Sequence, residues 1–317
     1  MMIQGVLGPI DTAELGQTLM HEHITCADWS MRMNFGARFF EFDQVAEIAA
    51  GQLGKAKALG VRTVVDGTPV NLGRDIRLIR EVARRTGLNF IASTGFYYQE
   101  EPWLYFRDEE ETYDLLMGDC ADGISGTGSK PGILKAGVGR GGLTPLLQKV
   151  LHATGRVAKE TGLPLFCPHD PSTAAGGAIL DLLASCGVPA SRVILGHSGD
   201  TDNLEYLTAM LERGCWLGMD RFGFCDRDLG LEPRVDTIAA LCRAGWGHRL
   251  LLSHDLAAYL AFWDSWETTK HSDWLHLEED YTFIHRRVLP LLEERGLSRA
   301  DIDRLLTGNP CAFFEGV

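Results

Sequence analysis

Gln17-Thr18-Leu19-Met20-His21-Glu22-His23-Ile24 is an apolar run that ends in two imidazoles two positions apart, and it is the first of eight such runs. The others read as Val61 to Asp66, Asn89 to Thr94, Gly132 to Gly137, Leu163 to Pro168, Arg192 to His197, Cys215 to Asp220 and Arg249 to His254. Each is near-continuously apolar, as strands covered on both faces are. Amphipathic stretches lie between them, among them Asp43 to Leu59, Asp75 to Thr86, Pro145 to Thr161 and Asn203 to Arg213. Asn, Asp or Pro stands near their starts and Gly60, Gly87, Gly162 or Gly214 at their ends, which are helix start and stop signals. Strands alternating with helices make a parallel sheet, and eight such units close into an α/β fold of the (β/α)8 TIM-barrel type. An open doubly wound sheet would gather site residues from only a few strand ends.

The polar residues at the ends of these runs draw on five strands. They are His21, His23, Lys135, His169, His197 and Asp255, a complete ligand set for a binuclear metal centre at the C-terminal face of the strands. Active residues of such barrels come from that ring of strand ends. In a strand, residues i and i+2 share a face, so His21 and His23 turn inward together while Glu22 turns out. His254, next to Asp255, faces away by the same rule. One strand-end histidine alone is more often structural than ligating, so convergence carries the reading. Lys135, in Gly132-Ile133-Leu134-Lys135-Ala136-Gly137, places an ammonium in an apolar strand, which is costly unless it is paired. It is either ion-paired with Asp255 or Asp66, or an amine that has added carbon dioxide to become a carbamate able to bridge two divalent ions.

Length and composition set the bounds. At 317 residues with 45% hydrophobic and 23% charged content, the chain can bury a large core, and a single domain over 1–317 is expected. A net charge of -13 offers no basic face for nucleic acid. The eight cysteines include no C-x-x-C pair and suit a reducing cytoplasm. No stretch approaches the ~20 apolar residues of a membrane span, and the first nine residues lack a leader pattern. Neither nucleic acid nor a membrane is an expected partner. The chain shows no low-complexity tract, no linker rich in Pro, Gly or Ser, and no repeat beyond the βα alternation.

His21-Glu22-His23, Lys135, His169, the string Gly196-His197-Ser198-Gly199-Asp200-Thr201-Asp202-Asn203, Gly218-Met219-Asp220-Arg221 and Ser253-His254-Asp255 together resemble the phosphotriesterase and phosphotriesterase-like lactonase branch of the amidohydrolase superfamily. The similarity runs from about Gly16 to Pro310. By resemblance, His21, His23 and Asp255 hold one metal and His169 and His197 the other, with carboxylated Lys135 and a hydroxide between them. Zinc is the expected metal, with manganese, cobalt and iron suiting the same donors. The resemblance implies a hydrolase that opens a lactone or cleaves a carboxylic ester by attack of the metal-bridging hydroxide. In that scheme Asp255 is general acid and base, and Arg221 and Tyr97 orient the substrate. A homodimer is plausible for the family. Arg221 stands where the phosphotriesterases proper put a histidine, and Asp220-Arg221 and Tyr97 look like the lactonase branch. Cys167-Pro168-His169-Asp170 departs from the small hydroxyl residues that relatives put around this histidine, which puts the pocket floor in doubt. The rivals are a phosphotriesterase, and a phosphodiesterase or nuclease-type barrel that uses a carboxylate where this chain has Lys135.

Two segments exceed ordinary loop length, Thr25 to Phe42 and Leu256 to Leu277, and both are rich in aromatics. They are expected to be lids or binding walls, or a hydrophobic minicore sealing the barrel mouth. Gly137-Val138-Gly139-Arg140-Gly141-Gly142 fits G-x-G-x-x-G, but the acidic residue of a dinucleotide site is missing from the next strand, which ends in Pro168-His169. A plain turn is one reading. The other is that its amides and Arg140, with Arg32 or Arg38, receive an anionic substituent, phosphate or carboxylate, of a sugar-type lactone. Trp263 is a further candidate substrate contact. His152, His248, His271, His276 and His285 lack ligand spacing and read as solvated or locally bonded.

Overall fold

The computed structural model describes residues 1–225, 229–261 and 280–316. An N-terminal hairpin, Met2–Gly5 paired with Gly8–Asp11, precedes the sheet. Eight parallel strands follow: β1 Gln17–Ala27, β2 Val61–Asp66, β3 Asn89–Phe96, β4 Ile133–Ala136, β5 Leu165–Pro168, β6 Val193–Gly196, β7 Trp216–Met219 and β8 Leu250–Leu252. The chain then leaves β8 along β1, with Asp255 N–H donating to His21 O at 3.0 Å and His23 N–H to Leu256 O at 2.8 Å. It continues as β9, Ala257–Ala261, parallel to the end of β1. First and last strands therefore meet, and the sheet is a closed (β/α)8 barrel.

Two layers of apolar packing hold it. Each strand sends one side chain into the barrel interior (Met20, Val65, Ile91, Ile133, Phe166, Ile194, Trp216, Leu251), and Ile3 and Ile10 of the hairpin with Phe313 and Phe314 of the C-terminal helix pack against them. A larger cluster joins the outer strand faces to the helices. Each such side chain is worth about 1.5–3 kcal/mol on burial, and this two-sided covering explains the unbroken apolar runs.

The helices fall where their punctuation puts them. Thr144 caps Pro145–Thr161 by accepting from Leu147 N–H, and Gly162, at φ 73, ends it. Asp75 caps Ile76–Thr86 and Asn203 caps Leu204–Glu212, so each expected helix began one residue early, at its own cap. The strands differ more. Several span four residues rather than six; His197 and Asp220 fall just past the ends of β6 and β7, whereas β4 loses a glycine at each end and β5 loses Leu163 and Pro164.

The described parts of both long segments are more structured than loops. Thr25 to Ala27 extends β1, and Trp29–Phe35 forms a helix capped by Asp28. Leu256 to Leu277 opens with β9, a correction to its reading as loop. Phe40 and Tyr259 meet edge to face at 5.2 Å, and the Tyr259 hydroxyl donates to Phe39 O at 2.6 Å, so these parts form the expected minicore. Phe262, Trp263, Trp266, Trp274, His271 and His276 lie outside the described residues. No described helix is long and apolar enough to cross a membrane.

Candidate metal centre

The register of β1 against β2 shifts between Leu19 and Glu22, a bulge-type irregularity. Met20 and His21 consequently both point into the barrel, and Glu22 points out. The imidazoles of His21 and His23 meet edge to face, with centroids 5.0 Å apart. Asp255 reaches them from the opposite side of the seam: its Oδ1 lies 3.2 Å from His21 Nε2 and 3.1 Å from His23 Nε2. Its Oδ2 lies 3.3 Å from His197 Nε2. His197 and Asp255 are non-glycine residues at φ 63 and 60. Such left-handed backbone costs on the order of 1 kcal/mol or more and clusters at functional sites.

Lys135 rises from β4 beneath this group and is buried. Its Nζ lies 2.6 Å from His21 Nε2 and 4.7 Å over the Phe166 ring. Neither Asp255 nor Asp66 pairs with it, and among the described residues no carboxylate lies within 4.0 Å of the amine. Burial pushes its pKa down to about 8. Gly67 keeps the space open, since a Cβ there would lie 2.5 Å from His21 Cδ2 and 3.1 Å from Lys135 Nζ.

A second tier fixes the ring orientations. Asp220 bonds His21 Nδ1 at 2.9 Å and accepts from His197 N–H at 2.7 Å, Thr68 Oγ1 bonds His23 Nδ1 at 2.7 Å, and Ser253 Oγ accepts from His21 N–H at 2.8 Å. Burial raises Asp220 to about 7. Burial alone would also raise Asp255, but His21, His197 and His23 together hold it well below the usual carboxylate range. Spacing did not single out these supporting residues. For Asp220 a signal existed, a carboxylate at the end of strand seven, whereas the hydroxyls of Thr68 and Ser253 carry none.

These residues fit a cation. The Nε2 atoms of His21 and His23 and a carboxylate oxygen of Asp255 all lie within 4.8 Å of one another. The buried His197 Nε2, aimed at the same place, makes no well-formed hydrogen bond, its nearest acceptor being Asp255 Oδ2 at 3.3 Å. Electron-pair donors crowded this closely repel one another unless positive charge lies among them. In a second grouping, His21 with His197 and Asp220, the carboxylate is already engaged by His21 Nδ1 and by the His197 backbone N–H.

His169 keeps its expected place at a strand end and is hydrogen-bonded at both ring nitrogens. It lines the same cavity, but its Nδ1 donates to Gly196 O at 2.8 Å and its Nε2 meets the Tyr206 hydroxyl at 2.7 Å. Ligation by His169 requires exchanging one of these partners. Burial pushes it to about 4, so the ring is neutral.

The cavity of about 980 Å³ above the cluster is walled by Cys26, Leu72, Tyr97, Val138, Phe224 and Leu260 among others. Tyr97 therefore stands where expected, packed on Tyr98 with ring centroids 4.2 Å apart. Arg221 lines the cavity too, ion-paired with Asp200 and with its Nε 3.5 Å from Asp255 Oδ2. Arg140 is at the rim, its Nε 3.1 Å from Asp170 Oδ2, and Gly139 of the glycine-rich turn lies against the Tyr98 ring. Arg32 and Arg38 are corrections, for neither lines the cavity. Arg32 is held by Asp75 at 2.6 Å and stacks on Trp29 and Phe40, while Arg38 sits exposed in the turn Gly36–Arg38.

Known proteins resemble this chain over nearly its whole length. The phosphotriesterase homology protein of Mycobacterium tuberculosis is 35% identical over 97% of this chain and 96% of its own length. The aryldialkylphosphatase of Saccharolobus solfataricus is 31% identical over 96% of this chain and 97% of its own, and the N-acetyltaurine hydrolase of Rattus norvegicus is 26% identical over 97% and 96%. The solved structure of the phosphotriesterase from Mycobacterium tuberculosis superposes with a TM-score of 0.91 at 34% identity, covering 99% of this chain and 98% of that one. The model of the phosphotriesterase family matches residues 1–314, and this chain belongs to that family of hydrolases.

Proposed function

We propose that the chain is a metal-dependent hydrolase that opens a lactone or cleaves a carboxylic ester, acting on a small molecule with an anionic, phosphorylated or carboxylated substituent of the sugar-lactone kind. The observation that carries the metal dependence is the buried His197 Nε2, which makes no well-formed hydrogen bond beside Asp255 and the His21–His23 pair. His21, His23 and Asp255 would hold one divalent cation, and His197 and His169 the other. Lys135 would bridge them as a carbamate: its neutral amine forms an N–C bond to carbon dioxide and releases a proton. A pair of zinc, manganese, cobalt or iron ions supplies a lowered water pKa and Lewis acidity toward a carbonyl.

The chain's own groups do the rest. Asp255, with one oxygen toward His21 and His23 and the other toward His197, can take a proton from water and return it to the departing alkoxide. Arg221, anchored by Asp200, sets its charge against Asp255 and the substrate. Tyr97 and its apolar neighbours bound the ring, and Arg140 at the rim faces the anionic group. Eight free cysteines suit a reducing cytoplasm.

The test is a panel on the zinc-loaded protein: a neutral lactone, an acidic lactone, an aryl ester, an activated phosphotriester and N-acetyltaurine. The proposal expects the highest kcat/KM on the acidic lactone. Turnover of the phosphotriester above every lactone would favour the second reading, phosphotriester hydrolysis, which the match to the aryldialkylphosphatase supports.

A further inference from the structure

Asp220 belongs to neither ligand group of the proposed centre, yet it touches a member of each. It directly follows β7, is 1% exposed, and has both oxygens engaged: Oδ2 with His21 Nδ1 at 2.9 Å, Oδ1 with His197 N–H at 2.7 Å. Room for it is made by Gly218, where a Cβ would lie 3.1 Å from Asp220 Cγ and Oδ2. We infer that Asp220 is a positioning residue that sets the tautomer of His21 and pins the backbone of His197, so that one carboxylate assembles both halves of the metal centre. The inference rests on the binuclear reading above.

The chemistry is directional. An ionised carboxylate only accepts, so it draws the His21 proton to Nδ1 and leaves the Nε2 lone pair pointing at Lys135 and Asp255, the form a cation needs. The far side of the ring agrees, because Lys135 Nζ, 2.6 Å from Nε2, is a donor. On the other oxygen, the amide bond holds His197 at φ 63, a conformation its side chain disfavours. Released from that bond, the strand-end backbone relaxes and carries the imidazole off target. One side chain thus makes the two halves interdependent, although their ligands come from different strands.

Asp220→Asn and Asp220→Ala separate the two functions. An asparagine can still accept from His197 N–H through its amide oxygen, but it turns an NH2 toward His21 Nδ1 and forces the ring proton onto Nε2. Alanine removes both contacts. In metal-free protein at pH 8 with 15N-labelled histidine, the expected spectra show His21 protonated on Nδ1 in the wild type and on Nε2 in Asp220→Asn. Calorimetric titration with Zn2+ should give two sites in the wild type. Asp220→Asn should lose affinity about 10- to 100-fold at one site only, and Asp220→Ala at both. Thermal melts establish that each variant is folded. An Nε2 proton on His21 in the wild type overturns the inference, as does an unchanged tautomer in Asp220→Asn or equal weakening of both sites by that variant. A wild type that binds fewer than two Zn2+ counts against the binuclear reading instead, and the tautomer spectra still decide the role of Asp220.

Discussion

The two faces of the seam between β1 and residues 253 to 256 carry the same kinds of side chain and treat them in opposite ways. On the outer face Glu22, fully buried, accepts from Ser253 Oγ at 2.7 Å, His254 N–H at 2.9 Å, His254 Nδ1 at 2.6 Å and Leu256 N–H at 3.0 Å. His254 Nε2 in turn accepts from Ile284 N–H at 3.2 Å. Both oxygens of Glu22 and both ring nitrogens of His254 are used. On the inner face, one residue away, His197 Nε2 makes no well-formed hydrogen bond, Lys135 has no carboxylate beside it among the described residues, and Asp255 Oδ1 is wedged between two Nε2 atoms. A buried charge that is fully bonded holds a fold together, whereas one with bonding capacity to spare is kept for something that binds.

Substitutions on the two faces should therefore fail differently. Lys135→Met is the largest expected effect: bound metal is lost and kcat/KM falls on the order of 1000-fold. Metal-free Lys135→Met should nonetheless melt no lower than the metal-free wild type, since a buried amine with no carboxylate partner among the described residues is exchanged for an apolar chain of similar volume. Metal analysis, kinetics and calorimetry check it, and full activity with full metal would break the contrast. Glu22→Gln should do the reverse, lowering stability by about 3 kcal/mol in urea titration while the folded fraction keeps its metal stoichiometry.

His285, which follows Ile284 on the outer face and bonds Gln17 Oε1 at 2.9 Å, adds a pH arm. Burial lowers its pKa to about 4 from the ordinary 6.5. The unfolded chain then takes up a proton that the folded chain refuses, so its contribution is whole above pH 6.5 and is lost as pH falls toward 4. Tm measured across that window should flatten in His285→Gln. A slope identical to wild type would remove His285 from the account. Smallest is Arg140→Met at the rim, where solvent screens the charge. KM should rise by no more than about 5-fold, for an acidic lactone and not for a neutral one, and equal effects on both would discard the anion contact.

Much of this was written in residue order. Alternation alone sent Glu22 and His254 outward and His23 and Asp255 inward, and the helices Ile76–Thr86 and Pro145–Thr161 stopped at their glycines. The convergence of these polar side chains was legible because strand ends of a barrel must meet. The partners of the two imidazole nitrogens were not, because which hydroxyl or carboxylate reaches a ring depends on distances across strands far apart in sequence. His169 shows the limit: its place at a strand end is readable, but its bond to Tyr206, on the helix after the next strand, is not. Arg32 failed for a related reason, since a cation in a long segment can cap a helix through Asp75 as readily as it can face a substrate.

The closure between residues 21 and 255 also has a temporal side. The backbone bonds that join β1 to the final segment span almost the whole chain, so ring closure must wait for the last strand to be made. A nascent polypeptide still short of Asp255 carries four imidazoles and an amine but not the carboxylate that faces them. The carboxylate therefore joins the imidazole cluster only when the ring is completed.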